Sequence, residues 1–196
     1  MKIVSFYTTE NGYKEVYEKN LKPGLIKYNL EYEITAVKNI SNWYSGQSFK
    51  SSFILDRLSN LKEDLIWIDV DATIEKKPKL LYEIPKEYDI AVFFLDWFKM
   101  WRNEEGGKKM ELISATMMFR YNEKVLKLVK KWKEECNKNT GLWDQRVLQK
   151  LLEEDNTLKV YKLPPEYCAI VLHNNELPKY IKEPVLIQHQ ASRNKK

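Results

Sequence analysis

The chain has few cysteines, glycines, prolines and histidines, and these shortages exclude several classes of protein. Its 196 residues include two Cys, six Gly, seven Pro and two His. Cys136 and Cys168 have no Cys-x-x-Cys spacing, so a disulfide framework or a zinc site is a poor fit and a reducing compartment is favoured. So little glycine and proline excludes a collagen-like or low-complexity chain. The composition indicates an ordinary globular protein.

Long hydrophobic runs are also absent. The N-terminus reads Met-Lys-Ile-Val-Ser-Phe, which is typical of a strand and lacks the apolar segment of a signal peptide. No run approaches the ~20 apolar residues that cross a bilayer. We therefore expect no membrane span, a cytoplasmic location, and a single domain of 196 residues with a sizeable core.

Charge of one sign is only slightly in excess. The formal net charge is +5, and the basic residues are spread along the chain except in the tail at 193–196. This balance suggests an anionic ligand or simple solubility. A nucleic-acid binder is a weaker alternative, because no basic face alternates with aromatic residues in a recognisable module.

Apolar runs and helical stripes alternate along the chain and predict an α/β fold. Segments 2–7, 32–37 and 65–68 read as strands, separated by a helix ending near residue 20 and a helix over 45–61. This β-α-β-α-β order predicts a mostly parallel sheet with crossover helices. Pro23-Gly24 reads as a break between elements. Later strands are predicted at 89–95, 112–119, 158–163 and 184–187, and later helices at 122–137 and 143–153.

The strand at 65–68 ends at Asp69-Val70-Asp71, the most informative tripeptide of the chain. Ligands of open α/β sheets bind beyond the carboxyl ends of strands. Side chains at i and i+2 of a strand point the same way, roughly 7 Å apart, and two carboxylates there repel each other unless a cation lies between them. A divalent metal carrying a phosphate fits that need, and a solvated acidic turn is the alternative.

Two later features are candidates for the same site. Asp144-Gln145 opens a helix near its apolar face, where an acid that only caps the helix is the simpler interpretation. His189 follows a strand and could be a ligand, a base or a bystander. Together with the acid pair, His189 predicts an open divalent site, and its imidazole shifts the preference from Mg²⁺ toward Mn²⁺. Lys195, six residues further on, would add a cation for phosphates.

With these residues in this order, the chain resembles the metal-dependent GT-A glycosyltransferases, especially their glycogenin-like, retaining branch. The resemblance implies a single-domain, three-layer α/β/α fold with a mixed, mostly parallel sheet, in which 1–75 is the nucleotide-binding half and 76–196 the sugar and acceptor half. The matching segments, in order, are 8–13, Phe49-Lys50, Asp69-Val70-Asp71, 114–119, Asp144-Gln145 and 189–195.

The resemblance also implies a reaction and a role for each matching residue. It implies transfer of a sugar from a nucleotide diphosphate sugar, UDP first among them, to an unidentified glycan, protein or modified base. Mn²⁺ or Mg²⁺ would be the cofactor, held by Asp69, Asp71 and His189, with Asp144 and Gln145 as catalytic residues. The residues expected to bind the nucleotide and donor are Thr8, Thr9, Tyr13, Lys50, Asp69, Val70, Ser114, Ala115 and Lys195.

The chain departs from that family's pattern at three points. Ser192 stands where glycine is usual, and Ser-Ala-Thr at 114–116 replaces Asn-Ser-Gly, which bears on the choice of sugar. The chain is also short for the fold. We therefore expect that much of the acceptor-binding region is absent or is supplied by another subunit, for instance in a homo-oligomer.

The irregular segment at 96–107 holds further candidates. An inverting enzyme would need a carboxylate base, for which Asp96 and Glu104 are available. Aromatic rings at Trp97, Phe98 and Trp101 could stack on an acceptor sugar or belong to the core. Gly106-Gly107 could hinge a closing loop or form an ordinary turn.

A phosphohydrolase is the main rival function. Residues 69–73 also resemble the Asp-x-Asp-x-Thr signature of haloacid-dehalogenase-like enzymes, in which Asp69 would be the nucleophile and Asp71 the general acid with Mg²⁺. That signature normally closes the first strand, whereas here it closes the third. We rank this alternative below glycosyl transfer.

Overall fold

The computed structural model describes residues 1–38, 43–102, 110–138, 141–172, 174 and 176–191. The first part contains β1 (Lys2–Thr8), α1 (Tyr13–Lys19), α2 (Leu21–Lys27), β2 (Tyr32–Val37), α3 (Trp43–Leu61) and β3 (Leu65–Ile68). The second contains β4 (Ala72–Ile74), α4 (Lys79–Glu83), β5 (Ile90–Asp96), α5 (Trp97–Arg102), β6 (Met110–Phe119), α6 (Glu123–Lys138), α7 (Asp144–Glu154), β7 (Val160–Lys162), β8 (Ala169–Ile170) and β9 (Leu186–Gln188).

A six-stranded sheet with the order β2-β1-β3-β6-β5-β7 forms the centre of the fold. β1 is parallel to β2 and β3, β5 is parallel to β7, and β6 is antiparallel to both of its neighbours. All four residues of β3 are buried, as expected of a strand covered on both faces. The predicted mixed, mostly parallel sheet is confirmed.

Alternate residues of β3 divide the core between the two faces of this sheet. Leu65 and Trp67 pack into a cluster with residues of α3, α6 and α7. Ile66 and Ile68 pack on the other face with residues of α1, α2 and a smaller sheet of order β4-β9-β8. Among the helices of the described residues, none combines the length and the apolar character needed to cross a bilayer.

The predicted break at Pro23-Gly24 is wrong, because α2 runs through both residues. Pro23 lies in the first turn of the helix, where a backbone N–H would have no intrahelical partner, so its missing donor costs little. Gly24 is needed for packing: a Cβ there would lie 2.6 Å from Cβ of Ile74 on β4. The absent side chain therefore allows α2 to approach β4 closely.

The acid pair lies in a turn rather than on an extended strand. The N–H of Ala72 donates to the carbonyl oxygen of Asp69 at 3.0 Å, and the chain then enters β4. β4 pairs antiparallel with β9, with Ala72 opposite Gln188. This pairing brings the segment after β9 alongside Asp71, although the two are more than a hundred residues apart in sequence.

Candidate active site

Lys50 of α3 joins three elements at the carboxyl end of β3. Its Nζ lies 3.0 Å from Asp69 Oδ1 and 3.8 Å from Asp144 Oδ2. It also donates to Ser114 of β6, at 3.1 Å to Oγ and 3.2 Å to the carbonyl oxygen. Four residues that are distant in sequence, each predicted to belong to the site, therefore form one contiguous cluster.

Burial and mutual repulsion govern the charges of this cluster. Burial raises the pKa of Asp69 to about 6; the charge of Lys50 lowers it, and the charge of Asp71 raises it further. Burial also raises the pKa of Asp71. For Lys50, burial lowers the pKa, but the nearby charges of Asp69 and Asp144 raise it, and the result lies above its usual value. The site holds Lys50 charged beside acids that favour an additional cation.

Asp144 is a buried member of this cluster rather than a solvated capping acid. It is the first residue of α7, and its side chain is only 8% exposed. Ser114 Oγ donates to Asp144 Oδ2 at 3.1 Å, and Trp132 Nε1 donates to the Asp144 carbonyl oxygen at 2.8 Å. A carboxylate held in this way has a fixed position relative to Lys50.

Gln145, the other predicted catalytic residue, contacts a residue that the sequence did not single out. Its Nε2 donates to Glu111 Oε1 at 3.0 Å, and the second oxygen of Glu111 accepts a hydrogen bond from Trp97 Nε1 at 2.7 Å. Glu111 is the second residue of β6, three positions before Ser114. A lone glutamate at the start of a strand carries no recognisable signal, so sequence reasoning missed it.

The segment after β9 contacts Asp71 through its backbone. The N–H of Ala191 donates to Asp71 Oδ2 at 2.7 Å, and the N–H of His189 donates to the Asp71 carbonyl oxygen at 3.4 Å. Gln190 between them has φ 52°, a left-handed conformation that is uncommon for a residue other than glycine and is often found at functional sites. His189 therefore lies close to the acid pair, as the metal hypothesis requires.

The imidazole of His189 has a different partner in this structure. Its Nε2 lies 3.1 Å from Thr73 Oγ1, and burial lowers its pKa. Within the part of the chain that the structure describes, no three Asp, Glu, His or Cys side chains are grouped so as to hold a metal ion. Metal binding by Asp69, Asp71 and His189 together stays a prediction.

Tyr13, the first residue of α1, lies near the same acids. Burial raises the pKa of Tyr13 to about 12, and the charges of Asp71 and Asp69 contribute to the increase. Thr8 Oγ1, at the end of β1, is buried and has no hydrogen-bond partner among the described residues, whereas Thr9 is exposed. A ligand could supply the missing partner of this hydroxyl, and donor binding by Thr8 and Thr9 stays a prediction.

The remaining predicted residues are distributed as follows. Val70 is 7% exposed and packs in the core, and the carbonyl oxygen of buried Ala115 accepts a hydrogen bond from the Asp69 N–H at 2.9 Å. If Val70 or Ala115 contacts the sugar donor, it would therefore do so through backbone atoms. Lys195, Ser192, Glu104 and Gly106-Gly107 lie outside the described residues.

The aromatic segment forms a short helix, α5. The rings of Trp97 and Trp101 lie parallel, with centroids 6.4 Å apart, and Trp101 and Phe98 are about half exposed. Asp96 Oδ1 accepts the N–H of Phe98 at 2.9 Å and that of Lys99 at 3.2 Å. Asp96 therefore caps α5, a structural role that weighs against a catalytic base, while the half-exposed rings leave the prediction of an acceptor platform open.

Solved structures with the same fold are glycosyltransferases. A glycosyltransferase involved in glycosylation of the major capsid of the virus PBCV-1 matches 98% of this chain and 96% of its own, with 12% identity and a TM-score of 0.71. Mouse xyloside xylosyltransferase 1 matches 98% and 99%, with 8% identity and a TM-score of 0.59. The galactosyltransferase LgtC matches 97% and 87%, with 10% identity and a TM-score of 0.56. At such identities these likenesses show the fold alone.

Family membership comes from the sequence. No curated protein matches the chain. The profile of a family described as nucleotide-diphospho-sugar transferases matches residues 48–196, which span β3, β6, α7 and the segment after β9. The match begins after the loop that contains Thr8, Thr9 and Tyr13. Because it covers more than half of the chain, the protein belongs to the nucleotide-diphospho-sugar transferase family and is a glycosyltransferase of the GT-A fold.

Proposed function

We propose that the protein transfers a sugar from a UDP-sugar to an acceptor hydroxyl, with retention of anomeric configuration and with the help of Mn²⁺ or Mg²⁺. The observation that carries the proposal is the cluster of Lys50, Asp69, Ser114 and Asp144 at the carboxyl end of β3, with the charge of Asp71 acting on Asp69. Membership of the nucleotide-diphospho-sugar transferase family supports the donor class. UDP, retention and the metal are our additions to it.

The chemistry of the acid pair suits a divalent cation. Asp69 and Asp71 offer only carboxylate oxygens, the ligands that Mg²⁺ and Mn²⁺ prefer, and such ions are commonly held by one or two carboxylates together with substrate phosphates. Burial raises the pKa values of both acids, and a cation bound between them would lower these values again. When bound there, the ion neutralises the diphosphate leaving group. His189 is the third ligand that we propose.

The residues of this chain then have separate tasks. Lys50 holds the carboxylates of Asp69 and Asp144 in place and supplies a positive charge at the same end of the sheet. Asp144, buried and bonded to Ser114, stabilises positive charge that develops at the anomeric carbon. Gln145, the next residue, hydrogen-bonds at the reacting face. Tyr13, near the acids, and Thr8, whose buried hydroxyl has no partner among the described residues, are proposed to hold the nucleotide.

A phosphohydrolase finds less support. The family of the chain is one of transferases. The carboxylate of Asp69, which would have to act as the nucleophile, is already bound through Oδ1 by Lys50 at 3.0 Å and by Trp67 Nε1 at 2.8 Å. With Oδ1 held by these two donors, attack on a phosphate would be left to Oδ2 of Asp69.

Nucleotide binding is the first test. Thermal unfolding should be measured with UDP, GDP, CDP and ADP, each with Mn²⁺ or with EDTA. We expect UDP with Mn²⁺ to raise the unfolding temperature, by the equivalent of about 2.7 kcal/mol at a hundredfold excess over Kd, and EDTA to abolish the increase. Asp71→Asn should lose it too. Asp56→Asn, a matched change at an exposed position of α3, should keep the increase.

Turnover is the second test. UDP release from UDP-glucose and UDP-galactose would identify the donor, and NMR of the first anomer formed would report retention or inversion. A flat unfolding response to every nucleotide would refute the proposed function. An inverted product would refute retention while leaving the donor class intact.

A further inference from the structure

We infer that Glu111 is a positioning residue: it fixes whether the oxygen or the nitrogen of the Gln145 carboxamide is presented to the sugar donor. The inference rests on the proposed function, because it takes Gln145 to act at the reacting face. Glu111 lies outside every motif of the sequence, and its side chain is 15% exposed.

The argument begins with the chemistry of the two side chains. A glutamine amide has an oxygen that accepts hydrogen bonds and a nitrogen that donates them, and the two have nearly the same shape. An ionised carboxylate only accepts. Because Glu111 Oε1 accepts from Gln145 Nε2 at 3.0 Å, the amide nitrogen must face Glu111. The carbonyl oxygen, Oε1, then occupies the other branch of the amide group.

Glu111 is itself held from a second side. Its Oε2 accepts a hydrogen bond from Trp97 Nε1 at 2.7 Å, and Arg146 Nε lies 3.7 Å from its Oε1. The indole and the guanidinium only donate, so they keep the carboxylate in its acceptor role. Trp97 also begins α5, whose half-exposed rings Phe98 and Trp101 lie on the same short helix.

A second pair of side chains on β6 and α7 is arranged in the same way as Glu111 and Gln145. Ser114 of β6 holds the Asp144 carboxylate at 3.1 Å, and Glu111 of β6 holds the Gln145 carboxamide at 3.0 Å. Two adjacent side chains at the start of α7 are thus each fixed by a polar side chain of one strand. Orientation of this kind preserves the geometry of a reacting group, where a misplacement of 1 Å can cost about a hundredfold in rate.

Removal of the charge on Glu111 tests the inference. The new side chain in Glu111→Gln has one oxygen and one NH2 group in place of two oxygens. It can therefore no longer offer one acceptor oxygen to Gln145 and another to Trp97, and the orientation of Gln145 is no longer enforced. We expect kcat for UDP release from the better UDP-sugar to fall about tenfold to a hundredfold, with the donor KM within about twofold of wild type. The unfolding shift with UDP and Mn²⁺ should persist.

A double-mutant cycle separates positioning from a merely structural role. Because the effect of Glu111 runs through Gln145, E111Q should lower kcat no further in a Q145A background. Gln149→Ala is the matched control: Gln149 lies one turn along α7, and its side chain bonds the Leu112 N–H at 2.9 Å and the Met110 carbonyl oxygen at 3.0 Å. It should lower stability and leave kcat within about twofold.

Each result has a distinct meaning. Equal losses of kcat from E111Q in the wild-type and Q145A backgrounds, or an E111Q variant with wild-type kcat, would overturn the inference and leave the proposed function standing. A wild-type protein that neither binds UDP with Mn²⁺ nor releases UDP would instead refute the proposed function itself. A fully active Q145A variant would overturn the inference too.

Discussion

Asp69 and Asp71 are separated by one residue, yet their charges are compensated in different ways. Asp69 contacts Lys50 at 3.0 Å and Trp67 Nε1 at 2.8 Å. Asp71 accepts a backbone N–H from Ala191, and among the described residues it has no partner at ion-pair distance. The carboxylate of Asp69 is therefore already paired with a cation, whereas the carboxylate of Asp71 is where we propose that a bound cation would pair.

The difference separates stability from binding. Asp69, Lys50 and Asp144 are part of a buried network whose loss affects the whole fold, because uncompensated buried charge is costly. Asp71 and the segment around His189 are joined by hydrogen bonds from the N–H groups of Ala191 and His189, without an ion pair among the described residues. Substitutions on the first side should change unfolding most, and those on the second side should chiefly change nucleotide binding.

The largest effect is expected from Lys50→Met, which keeps the length of the side chain and removes its charge. Asp69 and Asp144 would then lie close together without their shared cation, and we expect a loss of about 3 kcal/mol in the free energy of unfolding, measured with urea. Lys150→Met is the control, because Lys150 is 76% exposed and, among the residues that the structure describes, its ion pair is with Glu154 at 3.8 Å. It should cost less than about 1 kcal/mol. Equal stability of the two variants would remove the distinction between the two sides.

A smaller effect is expected in how the free energy of unfolding depends on pH. Burial raises the pKa of Asp69 to about 6 from an ordinary 3.8, so the folded protein holds a proton there that the unfolded chain releases. The stabilising contribution of protonated Asp69 is complete below about pH 3.8 and is lost as the pH rises toward 6. Between pH 4 and pH 6 in EDTA, the free energy of unfolding of Asp69→Asn should therefore rise by about 1–2 kcal/mol relative to that of wild type. This figure includes a discount for the partial exposure of the side chain.

Asp155 provides a control of opposite sign for this pH series. Hydrogen bonds from Thr157 lower the pKa of Asp155, so its contribution is present above its ordinary value and lost as the pH falls. The difference in free energy of unfolding between Asp155→Asn and wild type should stay constant above about pH 5, where Asp155 is ionised in both the folded and the unfolded state. A constant difference for Asp69→Asn over pH 4 to 6 would contradict the raised pKa.

The smallest effect is expected on the other side of the pair. Thr73→Val removes the hydroxyl 3.1 Å from His189 Nε2 and should cost about 1 kcal/mol in the free energy of unfolding. Thr73→Ser keeps the hydroxyl and should cost less. If His189 becomes a metal ligand when nucleotide binds, Thr73→Val should weaken binding of UDP with Mn²⁺ far less than His189→Ala, in titration calorimetry. Equal losses of affinity would indicate that His189 acts through Thr73 and not through the metal.

The six strands of the central sheet and the helices α1, α3, α6 and α7 could be predicted from the sequence because their apolar patterns are local. The buried run at 65–68 and the stripe of α6 match β3 and the observed helix Glu123–Lys138 closely. The prediction at Pro23-Gly24 was wrong because the effect of proline depends on its position within the helix, which the dipeptide itself does not reveal. α5 was missed because six residues are too few for a periodic pattern.

The candidate site was only partly accessible in the same way. Lys50, Asp69, Ser114 and Asp144 came from segments that resemble a known family in the same order, and the fold brings them into contact. Glu111 came from none, since its importance arises from the two side chains that its strand meets, on α5 and α7. A glutamate that orients another residue has no signature of its own in one sequence.

What the sequence determined by itself was the order of the six central strands with the longer helices and the acids that close β3, because these follow from alternation and from carboxylates after an apolar run. What only the tertiary structure decided was the partner of each charge. Lys50 lies between Asp69 and Asp144, the segment after β9 reaches Asp71, and His189 contacts Thr73. These contacts join residues far apart in the chain, and their energies depend on burial and distance, which appear only once the sheet and helices have packed.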